Sequence, residues 1–227
     1  MSPNDRALDE APGAPQDHAA AAGAVFDRHA ERYRDKFMDV AIYDRFYREL
    51  CARLPVDRPP RVLDAPCGPG NVARFVLNER PDADLLGIDL APRMVEIARA
   101  EVPAARFEVG DCRAIGALPG TFDAIVNAFG LPYLTPDEAD AFLATAAGRL
   151  APDGLLLVST MTALPARAGW ETTANGEARL FMTYHAADEL LARIAGHGFE
   201  VLTQALLDSP PGAAAPTRDL IVLARRA

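Results

Sequence analysis

Residues 61–70 read Arg-Val-Leu-Asp-Ala-Pro-Cys-Gly-Pro-Gly, and more of the architecture follows from this stretch than from any other. A short apolar run ending at Asp64 predicts a strand, and Gly68 and Gly70 predict a tight turn. The sequence Asn-Val-Ala-Arg-Phe-Val-Leu that follows starts a helix. Glycine lets the backbone approach a ligand because it has no Cβ, and the first helical turn offers unpaired N–H groups. Strand, glycine turn and helix in this order predict the ligand-binding end of an open α/β sheet.

Strands and helices alternate after this stretch. Strands are predicted at 61–65, 84–89, 105–109, 122–127 and 154–160, and helices at 70–79, 92–101 and 136–150. Apolar strands that alternate with helices predict a doubly wound, parallel sheet. Thr135, Pro136 and Glu138 form a capping-box pattern, which marks the start of one of these helices.

The remaining segments are less regular. Residues 161–184 predict an irregular insertion, followed by a helix at 185–197. Two final strands, at 199–206 and 219–226, are joined by a segment rich in proline, glycine and alanine, which predicts an antiparallel hairpin.

The N-terminal part of the chain divides in two. Residues 1–22 are rich in alanine, proline and aspartate without apolar periodicity, which predicts a disordered tail. Between Val25 and Leu54 apolar and aromatic residues recur at helical spacing, which predicts two amphipathic helices. Three prolines, at 55, 59 and 60, indicate a linker to the sheet.

Composition narrows the class of protein. The 227 residues carry a net charge of −9, whereas nucleic-acid binders usually present a basic face, so we expect a small-molecule partner. No apolar run is long enough to span a membrane. Three distant cysteines suit a reduced cytoplasm better than a disulfide framework, and the sequence gives no metal-ligand set. Whether the protein forms a homodimer is left open.

Residues 61–70 resemble the first motif of the class I S-adenosylmethionine-dependent methyltransferases, which is usually Asp-x-Gly-x-Gly-x-Gly. Asp64, Gly68 and Gly70 match this motif, and Pro66 replaces its first glycine. The resemblance covers residues 25–227, because the acidic strand ends, the fourth-strand segment and the terminal hairpin follow in the family's order. It implies a mostly parallel, seven-stranded sheet with a terminal antiparallel hairpin (a Rossmann-like fold), S-adenosylmethionine as cofactor, and methyl transfer to a small-molecule acceptor.

The resemblance also implies a domain organisation and a set of site residues. A helical lid at 23–58 would precede a cofactor-binding domain at 59–227, whose insertion at 161–184 would lie on the substrate side. Asp89, at the end of the second strand, would accept hydrogen bonds from ribose hydroxyls, although it could also only cap a helix. Asp111 would accept a hydrogen bond from the adenine amine, and the backbone N–H of Cys112 would donate one to a ring nitrogen. Alternatively, Asp111 could be only a turn residue. The cofactor-binding set is Tyr33, Asp64, Ala65, Gly68, Gly70, Asp89, Leu90, Met94, Asp111, Cys112, Asn127 and Phe129.

On the acceptor side we expect Tyr133, Trp170 and Tyr184 to contact the substrate. His185 is a candidate general base, with helix capping as the alternative. The methyl acceptor would be an oxygen, nitrogen or carbon nucleophile that attacks in line, with the rate coming mainly from alignment and desolvation.

Two rival functions remain open at this point. The Gly-Pro-Gly-Asn-Val-Ala stretch also fits the fingerprint of an NAD(P)-dependent oxidoreductase. Asp64, four residues before Gly68, disfavours that reading, and Lys36, the only lysine, excludes a Tyr-x-x-x-Lys catalytic pair. A non-catalytic protein that binds S-adenosylmethionine is the second rival.

Overall fold

The computed structural model describes residues 17–39, 41–173, 176–208 and 217–227. The α-helices in these ranges are α1 (His18–Arg28), α2 (Ala30–Phe37), α3 (Asp44–Arg53), α4 (Asn71–Glu79), α5 (Pro92–Glu101), α6 (Pro136–Arg149) and α7 (Ala187–Gly196). The strands are β1 (Arg61–Asp64), β2 (Asp84–Asp89), β3 (Arg106–Val109), β4 (Phe122–Ala128), β5 (Leu150–Thr162), β6 (Arg167–Thr172), β7 (Arg179–Tyr184), β8 (Phe199–Asp208) and β9 (Arg218–Arg226).

Seven of these strands form one sheet in the order β3-β2-β1-β4-β5-β9-β8. The first five run parallel, β9 is antiparallel to β5, and β8 is antiparallel to β9. The predicted fold class, including the terminal antiparallel pair, is therefore confirmed. The order reverses between β1 and β4, and in open α/β sheets ligands bind at the carboxyl ends of the strands at such a switch point.

The strand residues alternate between two cores, one on each face of the sheet. In β1, Leu63 packs with α6 and α7 residues, whereas Val62 packs with α3, α4 and α5 residues. In β4, Ile125 belongs to the first core, and Ala124 and Val126 belong to the second. Successive side chains of a strand point to opposite faces, so a strand covered by helices on both faces is apolar throughout.

The predicted capping box at the start of α6 is present. The Thr135 hydroxyl accepts a hydrogen bond from the Glu138 N–H at 3.2 Å, and the Glu138 carboxylate accepts one from the Thr135 N–H at 2.8 Å. The two bonds fix the point at which the chain enters α6.

The N-terminal segment differs from the prediction in two ways. The helix α1 begins at His18, so residues 18–22 are helical and not part of a disordered tail; residues 1–16 lie outside the described ranges. Asp17 caps α1 by accepting a hydrogen bond from the Ala20 N–H at 3.0 Å. The region predicted as two helices contains three, because the chain turns at His29, between α1 and α2, before a 3₁₀ turn at Ala41–Tyr43 leads into α3.

The insertion predicted as irregular contains a β-hairpin. Strands β6 and β7 pair antiparallel as a separate two-stranded sheet, from Arg167 opposite Tyr184 to Thr172 opposite Arg179. Residues 174 and 175 lie outside the described ranges. None of the helices in the described part of the chain is long and apolar enough to cross a membrane.

Candidate cofactor and substrate site

A cavity of about 430 Å³ lies at the carboxyl ends of the parallel strands. Its floor comes from the loops after β1, β2, β3 and β4, and from the adjoining ends of β5 and β9. Helices α1 and α2 and the β6–β7 hairpin cover it. Residues that represent these elements in the lining are Gly68, Asp89, Gly110, Phe129, Met161, Asp219, Phe26, Tyr33 and Met182. The cavity therefore stands at the topological switch point.

Asp89 forms part of the cavity wall at the end of β2, where the sequence placed it. Its Oδ2 accepts a hydrogen bond from the Gly68 N–H at 2.9 Å, and its Oδ1 accepts one from the Ala91 N–H at 2.9 Å. Burial raises the pKa of Asp89, and these two N–H groups lower it in part. A carboxylate has about four acceptor sites, so each oxygen can accept a further bond from a ligand.

The two glycines of the first turn have different roles. Gly68 lines the cavity at a φ of +51°, and a Cβ placed there would point towards Tyr33, whose Cε1 would lie 4.0 Å away. Gly70 adopts a φ of +92° and does not line the cavity. A Cβ on Gly70 would lie 3.3 Å from both the Ala98 Cα and a Val102 methyl, so this glycine lets α4 pack closely against α5. The structure gives Gly70 a packing role, and its predicted contact with the cofactor stays a prediction.

Asp64 is fully buried beneath the cavity and does not line it. Neither of its carboxylate oxygens has a hydrogen-bond partner among the described residues. Burial, followed by the charge of Asp89, raises its pKa well above the ordinary value. A buried carboxyl group without partners is costly, so its presence needs an explanation.

Asp111 does not line the cavity, because its carboxylate is bound to Arg113. It accepts hydrogen bonds from the Arg113 N–H and Nε, both at 2.8 Å, so it acts as the turn residue of the alternative interpretation. The same guanidinium binds Asp17 at 2.9 Å and Glu138 at 2.6 Å. Cys112 does line the cavity. Burial raises the pKa of Cys112 to about 12, which leaves it a protonated packing residue.

Asn127 and Ala65 hold the cavity floor together without lining it. The Asn127 side chain donates to the Ala65 carbonyl at 2.8 Å and accepts from the backbone N–H groups of Gly130 at 3.1 Å and Leu131 at 3.2 Å. These bonds satisfy a side chain that is fully buried. Phe129, in the turn that Asn127 supports, adopts a φ of +58° and does line the cavity.

Aromatic side chains form much of the cavity wall. Phe26 of α1 packs edge-on against Tyr33, with ring centroids 5.5 Å apart, and against Tyr133, with centroids 5.0 Å apart. Burial raises the pKa of Tyr33 to about 12, so its hydroxyl stays protonated near neutral pH. The predicted residues Leu90 and Met94 complete this wall. The structure thus brings Tyr33, Tyr133, Leu90 and Met94 together in the cavity wall, and their contacts with cofactor and substrate stay predictions.

The hairpin brings one of its two predicted substrate residues to the cavity. Tyr184 lines it, and its hydroxyl donates to Glu171 at 2.7 Å. Burial, then the hydrogen bond to Glu171, raises the pKa of Tyr184 to about 12. Trp170 does not line the cavity; its ring is 37% exposed and packs against His18 and Phe181. Strand alternation explains the difference, because Trp170 and Glu171 point to opposite faces of the hairpin.

His185 is buried but does not line the cavity, so the geometry gives no support for a general base at this position. It does not cap a helix with its side chain either, because Ala186 is the N-cap of α7. Burial lowers its pKa, and its Nε2 has no hydrogen-bond partner among the described residues. Its backbone joins the hairpin to the end of β5 through a bridge to Thr162.

Several cavity residues had no assigned role in the sequence analysis, among them Asp219, Tyr43 and Met161. The Tyr43 hydroxyl donates to the Asp219 carboxylate at 2.6 Å. Asp219 stands in the apolar pattern of the last strand, and an acidic residue inside such a buried pattern is the signal that could have identified it.

The comparisons with known proteins agree with this geometry. Residues 62–154 match a family model described as a methyltransferase domain. The chain is 35% identical over 125 residues to trans-aconitate 2-methyltransferase of Methylobacterium radiotolerans. This alignment covers 52% of this chain and 47% of that protein. It is also 29% identical over 180 residues to malonyl-[acyl-carrier protein] O-methyltransferase of Enterobacter lignolyticus. That alignment covers 78% of this chain and 69% of that protein.

A solved structure shows the same fold over nearly the whole chain. The 1,6-didemethyltoxoflavin-N1-methyltransferase of Burkholderia thailandensis superposes with a TM-score of 0.71 at 23% identity, covering 97% of this chain and 93% of that one. The chain spans about half the length of the trans-aconitate methyltransferases that it matches.

The sheet has seven strands in this order, a glycine turn follows β1, and a buried carboxylate at the end of β2 faces the cavity. Together these features define an α/β protein built to bind a nucleoside-containing ligand. The family match and the named relatives carry the assignment further. The match over residues 62–154, the named relatives and the fold support the class I S-adenosylmethionine-dependent methyltransferase family, which the sequence predicted.

Proposed function

We propose that the protein transfers a methyl group from S-adenosylmethionine to an oxygen, nitrogen or carbon nucleophile of a small-molecule acceptor. The observation that carries this proposal is the Asp89 carboxylate, which the Gly68 and Ala91 N–H groups hold in the cavity wall with acceptor capacity left on both oxygens. Such a group suits the vicinal hydroxyls of a ribose.

Two further observations test whether the cofactor fits. Gly68 leaves open the space that a Cβ would occupy on the cavity side, which permits close approach of a ligand to the backbone. Asp64 lies below that turn as a buried carboxyl group without a partner. A cationic ligand group above Asp64 would compensate its charge, and the amino-acid tail of S-adenosylmethionine carries an ammonium. Gly110 and Cys112 line the cavity after β3, which supports the proposal that the adenine contacts them rather than the Asp111 side chain.

S-adenosylmethionine supplies an electrophilic methyl group on a positively charged sulfur. The residues of this chain would align the acceptor with that methyl group and exclude water, through the aromatic wall of Phe26, Tyr33 and Tyr133 and the cover formed by α1 and the hairpin. A base is needed only where the acceptor atom must lose a proton.

The experiment that tests this function is a calorimetric titration with S-adenosylmethionine, S-adenosylhomocysteine and NADH. We expect the first two to bind and NADH to give no signal. Asp89→Asn should weaken binding of S-adenosylmethionine by about 1–3 kcal/mol, because a charge-assisted hydrogen-bond acceptor is lost. Asp84→Asn, at the exposed start of the same strand, is the matched control and should bind as the wild type does.

The alternatives give different results in the same titration. Binding of NADH alone would support an oxidoreductase, and unchanged affinity in a folded Asp89→Asn protein would remove the ribose assignment. Binding of S-adenosylmethionine without turnover across an acceptor screen would favour a non-catalytic binding protein. A cytoplasmic location, based on three unpaired cysteines, stays a prediction, as does the absence of nucleic-acid and membrane partners.

A further inference from the structure

The loop after β4 presents an aromatic side chain to the cavity from a strained backbone conformation. Phe129 adopts a φ of +58° and lines the cavity. A positive φ is a genuine outlier for a bulky residue, and such strained residues cluster at functional sites. The Phe129 N–H donates to the Ser159 carbonyl at 2.9 Å, and the Asn127 side chain accepts from the N–H groups of the next two residues. The fold therefore holds the backbone that carries this ring in place.

Tyr43 provides a second ring in this part of the wall. Its ring centroid lies 5.2 Å from that of Phe129, and the two ring planes are tilted by 58°. Tyr43 is 8% exposed and lines the cavity, and its hydroxyl donates to the Asp219 carboxylate at 2.6 Å. Because this bond fixes the direction of the Tyr43 ring, Tyr43 and Phe129 form a ring pair that is arranged before a ligand enters.

The ring pair lies on the side of the cavity away from the β1 and β2 loops. Asp219, which binds the Tyr43 hydroxyl, belongs to β9 and is opposite Met161 of β5. In the sheet order these two strands lie on one side of β4, and β1 and β2, whose loops carry Gly68 and Asp89, lie on the other. A cofactor held by the β1 and β2 loops therefore leaves the ring pair and Met161 to a second molecule.

The carboxylates on this side of the cavity already have partners within the protein. Asp219 accepts the Tyr43 hydroxyl, and Glu171 accepts the Tyr184 hydroxyl at 2.7 Å. Glu171 also forms an ion pair with Arg167 at 2.5 Å. Contact with rings and apolar side chains is therefore the main interaction offered to a second molecule. Apolar residues of β5 and the hairpin that also line the cavity are Met161, Leu180 and Met182.

We propose that the ring pair binds a planar aromatic acceptor and that Phe129 selects this acceptor over a saturated one. The inference rests on the proposed methyltransferase function and adds the chemical class of its acceptor. An aromatic ring beside Phe129 and Tyr43 gains stacked or edge-to-face contacts that a saturated ring of the same framework lacks. The thioether of Met161 favours an aromatic ring for the same reason, because sulfur makes favourable contacts with ring edges.

Two alcohols with the same fused-ring carbon framework test the proposal. 2-Naphthol is planar and aromatic, whereas decahydro-2-naphthol is saturated and exposes more apolar surface. Each is titrated calorimetrically into the protein saturated with S-adenosylhomocysteine. We expect 2-naphthol to bind about two- to tenfold more tightly, which is the ratio that one aromatic pair provides. A site that responded only to apolar area would bind the saturated alcohol at least as tightly.

Substitutions assign the preference to Phe129. Phe129→Leu keeps an apolar side chain and removes the ring, so 2-naphthol should lose its advantage while S-adenosylhomocysteine binds as before. Phe75→Leu is the matched control, because Phe75 is also half-buried and packs on a tyrosine of α3 but does not line the cavity. If Phe129→Leu does not fold, Phe129→Gly removes the ring at a φ that glycine adopts without strain.

Four outcomes would overturn the proposal. They are equal or tighter binding of the saturated alcohol, no binding of either alcohol, an unchanged preference in a folded Phe129 variant, and loss of S-adenosylhomocysteine binding in that variant, which would assign the ring to the cofactor. Failure of S-adenosylhomocysteine to bind the wild type would count against the proposed function instead. The two alcohols are then compared without it in the same variants, which still measures the preference for a planar ring.

Discussion

Asp64 shows how a single buried carboxyl group can reduce the stability of the ligand-free protein. Its pKa lies well above the ordinary 3.8 because of burial and the charge of Asp89. The folded state therefore holds this proton more tightly than the unfolded state, and the free energy of unfolding falls as pH rises from about 3.8 through the folded pKa. We expect Asp64→Asn to stabilise the ligand-free protein by about 1 kcal/mol or more at neutral pH.

The test is urea unfolding of the wild type and Asp64→Asn at several pH values. The difference should be largest near pH 7 and should shrink as the pH falls below 3.8, because Asp64 is then protonated in both states. Asp57→Asn, at an exposed position, serves as the control. A stability difference that does not depend on pH would show that charge is not the cause.

Residue roles were predictable where a local pattern determines them. Gly68 and Asp89 lie at a strand-turn-helix junction and a strand end, and both face the cavity. The roles of Asp111 and Asn127 depend on partners that the local pattern does not specify. Asp111 is occupied by Arg113, which also binds Asp17, 96 residues earlier in the chain. Asn127 is satisfied by backbone groups of two separate loops.

At the scale of elements, helix α1 is attached to the rest of the molecule by polar contacts as well as packing. Asp17, just before its start, is bound by Arg113. Asp27, near the end of α1, accepts a hydrogen bond from the backbone N–H of Arg93 in α5 at 2.7 Å. The N-cap residue of α5 is Ala91, whose side chain cannot accept a hydrogen bond from this N–H group. Arg113→Gln should loosen the start of α1 and destabilise the protein by about 1–2 kcal/mol, since the site is partly buried.

Hydrogen exchange of α1 measures this loosening directly. The hydrogen bond and charge of Arg113 lower the pKa of Asp17, so the contact stabilises the fold above pH 3.8 and is lost as pH falls through the depressed pKa. Faster exchange in Arg113→Gln should therefore be clear at pH 7 and should fade in acid. Arg106→Gln, which removes an exposed contact to Asp84, is the control. Equal exchange in both variants would contradict the role of Arg113.

The elements that the sequence missed are those with little burial contrast. In β6 four of the six residues are exposed and the other two, Gly169 and Glu171, are only partly buried. The strand therefore lacks the alternation of apolar and polar residues that marks a half-buried strand. The alanine-rich start of α1 likewise resembles a low-complexity tail. The parallel strands were predicted because burial on both faces makes them apolar throughout.

At the scale of the whole molecule, the contact between Tyr43 and Asp219 in the cavity wall depends on how distant segments meet. Tyr43 and Asp219 are 176 residues apart, and only the antiparallel insertion of β9 beside β5 brings them together. A sequence pattern could place Asp219 at the start of a buried strand. It could not predict which of the N-terminal tyrosines would reach that strand, because the path of the chain between α2 and α3 sets this contact.

The cavity is covered by segments from opposite parts of the chain, so a ligand inside it should stabilise them together. Ala22 and Phe26 of α1 and Leu180 and Met182 of the hairpin all line it. At a concentration of 100 times the Kd, S-adenosylhomocysteine should add about 2.7 kcal/mol to the free energy of unfolding, which corresponds to a rise in Tm of about 5–10 °C. Exchange should slow in α1 and β7 more than in β8, which lies at the far edge of the sheet, and NADH should produce neither effect. A rise in Tm with slowed exchange confined to the β1 and β2 loops would mean that the ligand binds there without engaging the cover.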